Sequence, residues 1–240
     1  MISGPGWYGR VLADVAQRHY PTETRADLSA SIRSMQTGLL DFAYGLSVEA
    51  GVPPAIAEAR CVAVFYSASA VNLADDLADG DCDYLAEPYR SGPATQYLLQ
   101  SLFFQKVCEL GLPVEVIFAV TRDFEQVAAL QHVELVTDTW TFDVARRVAE
   151  GITGRQIAAY LRISLFGTDL ARHAEQIGVD VGLATHVALD AESRDPRFTS
   201  LDDTDREQLR QLALEAIGRA TALELEAIVP VATQVHRALG

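Results

Sequence analysis

Residues 55–83 read AIAEARCVAVFYSASAVNLADDLADGDCD. Most of the stretch is small or apolar, and it ends in a dense cluster of aspartates. Pro53 and Pro54 stand at its start, where proline is at home in a helix. The spacing predicts one helix over 54–79, apolar on most of its surface, as a buried central helix is. Asp75 and Asp79 are four apart and share a face; Asp76 sits about 100° round, and Asn72 lies one turn earlier.

Carboxylates at this density repel one another. They also fall at a helix C-terminal end, where the dipole is already negative, so they are unfavourable there without a cation. Mg²⁺ takes oxygen ligands and keeps several waters, so one or two carboxylates and a ligand phosphate suffice to hold it. Asp75, Asp76 and Asp79 are therefore candidate metal ligands. A solvated acidic turn is the plainer reading, but a buried helix has no need of one. An EF-hand calcium loop counted from Asp75 puts Leu77 and Ala86 at positions that need oxygen ligands. Asp81 and Asp83 read as the solvated turn beyond the site.

Working outward, helical periodicity dominates. Helices are expected near 24–50, 54–79, 94–110, 114–138, 142–150, 154–177, 179–194 and 203–238. Leu28, Ile32, Met35, Leu39, Phe42 and Leu46 form one stripe at helical spacing. No low-complexity linker and no repeat at solenoid periods divides the chain. The expectation is a single all-α domain over residues 1–240, a helical bundle around a central apolar cavity.

The 240 residues carry a net charge of -14 and a pI near 4.7, which argues against nucleic acid or an anionic membrane surface as partner. Cys61, Cys82 and Cys108 fit neither a zinc spacing nor a disulfide framework, so a reducing cytoplasm is expected. The opening MISGPGWYGR does not read as a signal peptide. The nearly uncharged run from Cys61 to Ala74 is too short to span a bilayer.

With these residues in view, the sequence resembles the class I isoprenoid synthases, especially the trans-polyprenyl diphosphate synthases and the short bacterial class I terpene synthases. The family's first motif is DDxxD at the end of a long apolar helix, matched by Asp75, Asp76 and Asp79. Its second motif, GxxxQxxDDxxD, is similar in position to GLATHVALDAES, residues 182–193, where only Asp190 of the aspartates is kept. Leu189 and Ser193 replace the others, and His186 replaces the glutamine. The cyclase form of that motif, with metal-binding side chains at four-residue steps, is broken too: the steps read Leu189, Ser193, Arg197. Gln131 and Glu134 resemble a Gln-x-x-Asp pair on a middle helix, and Arg155-Gln156 stands where Lys-Thr is frequent. Arg90 in YRSGPAT matches part of an arginine motif downstream of the first aspartates. The stretch MQTGLLDFAY lacks the basic residues that hold isopentenyl diphosphate in elongating members.

The resemblance implies Mg²⁺ held by Asp75, Asp76, Asp79 and Asp190, bridging the two motifs to a prenyl diphosphate. It implies a diphosphate contact from Arg155, further substrate contacts from Arg90 and Gln131, and ionisation to an allylic carbocation. Such a cation needs a dry apolar wall, for which Phe65, Ala68, Val71 and Asn72 are the candidates. A homodimer is usual in the family. The missing second basic pocket favours a terpene synthase working on one substrate. The alternatives are a prenyltransferase moving the allylic chain to a second substrate, and a non-catalytic partner subunit of a prenyl diphosphate synthase.

Overall fold

The computed structural model describes residues 7–35 and 38–240. Residues 1–6, part of the stretch read for a signal peptide, lie outside the described residues. So do Gln36 and Thr37, inside both the expected 24–50 helix and MQTGLLDFAY. Helices joined by turns and short irregular segments make up the described residues, with no strand among them. In order they form α1 (Trp7–Gln17), α2 (Thr22–Ser34), α3 (Gly38–Glu49), α4 (Pro54–Asp79), α5 (Pro88–Glu109), α6 (Val114–Val136) and α7 (Phe142–Ala149). A π-helical turn (Glu150–Gly154) leads into α8 (Arg155–Ser164). A 3₁₀ turn (Asp169–His173) precedes α9 (Ala174–Ser193), followed by α10 (Pro196–Thr199), α11 (Asp203–Thr221) and α12 (Val229–Leu239).

The all-α expectation holds. The long apolar helix falls at 54–79 as expected, whereas the helix expected over 24–50 is divided: α2 stops at Ser34 and Met35 is extended. The expected helix over 203–238 is likewise divided, at Ala222, into α11 and α12. Leu28, Ile32, Phe42 and Leu46 from the expected stripe are all buried.

The chain falls into two compact units, Met1–Tyr44 with Pro53–Pro113, and Gly45–Val52 with Val114–Gly240. In the first, α4 is the spine. Pro54 occupies its first turn, and Gly80 closes it at φ 83°, the left-handed cap that glycine adopts without strain. Every residue from Ala63 to Ala70 is buried, so the helix is covered on all sides, which its small and apolar composition permits. α5 lies closely against it: a Cβ at Gly92 would come within 2.8 Å of Leu77.

In the second unit α9 is the spine, packed on α8, α11 and the π turn. Its glycines are set by close backbone approach. A Cβ at Gly178 would fall 2.4 Å from the Ala158 backbone, and one at Gly182 would fall 2.4 Å from Gly154. Small side chains there let two helix axes come together, and they fix the height at which α9 presents its last turns.

Candidate active site

The first acidic cluster is built by the end of α4 and the turn after it. Asp75 and Asp79 are exposed; Asp76 is half-buried. Asp76 accepts hydrogen bonds from the Asn72 amide at 2.7 Å and from the Tyr84 hydroxyl at 2.6 Å. Both donors are neutral. Burial raises the Asp76 carboxyl above its usual range, and nearby Asp81, Asp79 and Asp83 push the same way against the tyrosine hydrogen bond. Asp76 is thus a clamped carboxylate in a field of like charges.

Tyr84 escaped sequence reasoning. It lies eight residues past Asp76, beyond the Gly80 turn, and such a spacing carries no helical meaning. Asn72, one helical turn before Asp76, was legible. Of the expected wall residues, Phe65 and Ala68 are buried, with Phe65 edge-on to Tyr8 at 5.8 Å between ring centres, and Val71 is half-buried. Arg90 is exposed at the start of α5 and pairs with Glu87 at 3.1 Å.

The donor chemistry at the α4 end fits a hard divalent cation: carboxylate oxygens on one helical face, open to water and to a ligand's phosphates. Among the described residues no three His, Cys, Asp or Glu side chains form a preformed metal cage. A site that shares its cation with a diphosphate does not require one.

The second unit holds the other acidic residues. Asp190 sits in the last turn of α9, its carboxylate 3.4 Å from His186 Nε2, while His186 Nδ1 is 2.8 Å from the Thr153 hydroxyl on the π turn. Burial raises the Asp190 carboxyl, against the pull of His186 and Arg197. Leu189 is exposed, and the Ser193 hydroxyl turns back to the Asp190 carbonyl. Arg197, on α10, donates to Glu134 of α6 and to both oxygens of Asp195 at 3.0 Å. Burial alone would raise Asp195; the guanidinium and the Arg197 backbone N–H outweigh it and hold the carboxyl below its usual range. Gln131 is half-buried one turn before Glu134. Arg155 is engaged in a four-membered ion network: with Arg162 it grips Glu175 and the buried Asp123. Two surface cavities lie apart from these residues. One of about 740 Å³ runs along α11 beside Phe142, and one of about 480 Å³ is lined by Arg10, Asp14 and Lys106.

No protein-family model matches the sequence, and no curated protein matches it. Solved structures do. The fold superposes on geranyltranstransferase from Thermotoga maritima with a TM-score of 0.77 at 13% identity, covering 97% of this chain and 96% of that one. It matches the polyprenyl synthase of Caulobacter crescentus, complexed with calcium and isoprenyl diphosphate, with a TM-score of 0.64 at 16% identity over 97% and 87% of the chains. A deletion mutant of the heterotetrameric geranyl pyrophosphate synthase of mint gives 0.65 at 15% identity over 95% and 98%. The chain therefore has the all-α fold of the class I isoprenoid synthases, of the trans-polyprenyl diphosphate synthase kind. Among the described residues no helix is long and apolar enough to cross a membrane.

Proposed function

We propose that this protein is a Mg²⁺-dependent prenyltransferase that moves an allylic chain from its diphosphate to a second substrate. The observation that carries the reading is Asp75, Asp76 and Asp79 at the open end of the buried helix α4, in a chain whose whole length follows the fold of prenyl-chain enzymes. This reverses the order favoured by sequence, where one-substrate cyclisation came first. The solved neighbours are chain-transfer and chain-elongation enzymes, which supports transfer ahead of cyclisation.

In this reading Asp75 and Asp79 would hold Mg²⁺, and Asn72 and Tyr84 aim the Asp76 carboxylate. When bound, the metal supplies charge stabilisation to the departing diphosphate. The allylic C–O bond breaks and the diphosphate leaves with the electron pair. The acceptor's nucleophilic atom bonds to the allylic carbon and gives up a proton. Val71, one turn before Asp75, is the nearest apolar residue on that face against which the chain would lie, with Ala68 and Phe65 further back. Water kept away from the cation is what makes transfer outcompete quenching. Between Ser34 and Pro53 the sequence has no basic residue, so the proposed acceptor is something other than isopentenyl diphosphate. The same gap keeps the cyclase as a second reading. A homodimer is part of the proposal; the exposed Val114, Phe118 and Leu135 of α6 are the apolar surface to test for it.

The experiment incubates pure protein and Mg²⁺ with allylic diphosphates of ten to twenty-five carbons, with and without isopentenyl diphosphate or a panel of hydroxylated and aromatic acceptors. A prenylated acceptor supports the proposal. A hydrocarbon or alcohol from one substrate alone selects the cyclase. A longer diphosphate formed only with isopentenyl diphosphate replaces both with elongation. Turnover appearing only beside a partner synthase selects the subunit reading.

A further inference from the structure

The carboxylates of the second unit do not suit a divalent metal. A metal site at the end of α9 needs oxygen ligands at successive helical steps; the chain places Leu189, Ser193 and Arg197 there, two neutral residues and a cation. The Ser193 hydroxyl is turned to a backbone carbonyl within its own helix. Meanwhile two of the three nearby carboxylates, Glu134 and Asp195, are met by the guanidinium. Arg197 meets Asp195 with both prongs at 3.0 Å, and its third nitrogen donates to Glu134. Glu134 and Asp195 are only 10% and 16% exposed, so this pairing is shielded from water and salt. Planar two-pronged recognition is what arginine does better than any point charge. Asp190 faces His186 rather than the guanidinium.

We infer that Arg197 is the resident cation of this cluster, standing where a divalent ion would otherwise be needed, so that Glu134, Asp190 and Asp195 take no metal in the native chain. The inference concerns the second unit alone and is independent of whether the α4 end holds Mg²⁺.

The test counts Mn²⁺ bound per chain by electron paramagnetic resonance, with inorganic pyrophosphate present, and follows thermal unfolding with and without chelator. In the native chain, Asp190→Asn leaves the Mn²⁺ count unchanged. Arg197→Gln opens the cluster: the variant gains one Mn²⁺, its melting temperature in Mn²⁺ exceeds that in chelator, and both gains vanish on adding Asp190→Asn or Glu134→Gln. A native chain that loses an equivalent of Mn²⁺ on Asp190→Asn overturns the inference. So does a folded Arg197→Gln protein that gains no metal. Should Arg197→Gln fail to fold in chelator, refolding in Mn²⁺ decides the matter: recovery supports the inference and failure in both rejects it. Asp75→Asn with Asp79→Asn is run alongside. An unchanged Mn²⁺ count in that double variant removes the metal site proposed for α4, while the Arg197 forms still decide the inference drawn here.

Discussion

The molecule carries two acidic helix ends that solve the same electrostatic problem in opposite ways. At the end of α4, Asp76 is held by neutral donors, Asn72 and Tyr84, among further aspartates that raise its pKa. Beside the end of α9, Arg197 of α10 pairs with both Glu134 of α6 and Asp195, and it holds Asp195 low. At the first cluster the printed partners of Asp76 are neutral donors; at the second a guanidinium meets Glu134 and Asp195. Two carboxylate clusters on similar helix ends thus differ in what the fold brings against them.

The largest effect expected from breaking this contrast is on turnover. Asp75→Asn with Asp79→Asn should lower kcat/KM by on the order of a thousandfold or more while the circular dichroism melt stays nearly in place, since both side chains are exposed. Full activity in that variant would end the proposed mechanism. Next comes Arg197→Gln, which leaves two half-buried carboxylates without their guanidinium. Urea unfolding in chelator should show a loss of about 1–2 kcal/mol, between the values for exposed and buried pairs.

Gly178→Ala tests whether the placement of the second cluster rests on close packing of α9. Its new methyl meets the Ala158 backbone, which cannot yield as a flexible side chain would. A loss of about 1–3 kcal/mol is expected. Gly218→Ala, on α11 with nothing near the new methyl, is the control and should gain about 0.5–1 kcal/mol. Tyr84→Phe sharpens the other side of the comparison. Losing one hydrogen bond to a carboxylate should raise the Mg²⁺ half-saturation about tenfold, on the scale of roughly 1.5 kcal/mol for such a bond. No change in the metal dependence would make Tyr84 a packing residue only.

The smallest effect is in pH. Asp195 has a folded pKa below its unfolded value near 3.8, so its pairing stabilises the protein above that value. The contribution is lost as pH falls through the folded pKa. Melting temperature between pH 5 and pH 2.5 should therefore fall more steeply in the native chain than in Arg197→Gln. Parallel curves would show that the pair carries no linkage.

Much of this was legible in the chain itself. α4 was readable to its end residues because a twenty-six-residue apolar helix between Pro53 and Gly80 has few alternatives. Asn72, Asp75, Asp76 and Asp79 were legible because they lie on one element, where helical spacing converts directly into geometry. The break after Ser34 was not, since its apolar stripe continues in register past the interruption. Arg155 shows what spacing does not carry. Its ion partners, Asp123 and Glu175, are 32 and 20 residues away and belong to other helices.

Sequence alone determined the helical class, the buried spine and the first acidic face, because each depends on periodicity within a single helix. Tertiary structure decided that a guanidinium meets Glu134 and that a tyrosine meets Asp76. Arg197 comes to Glu134 across 63 residues of chain, and Tyr84 reaches back to Asp76 over a turn. Charge compensation is set by distance in space, and no local spacing rule encodes a distance that only packing creates.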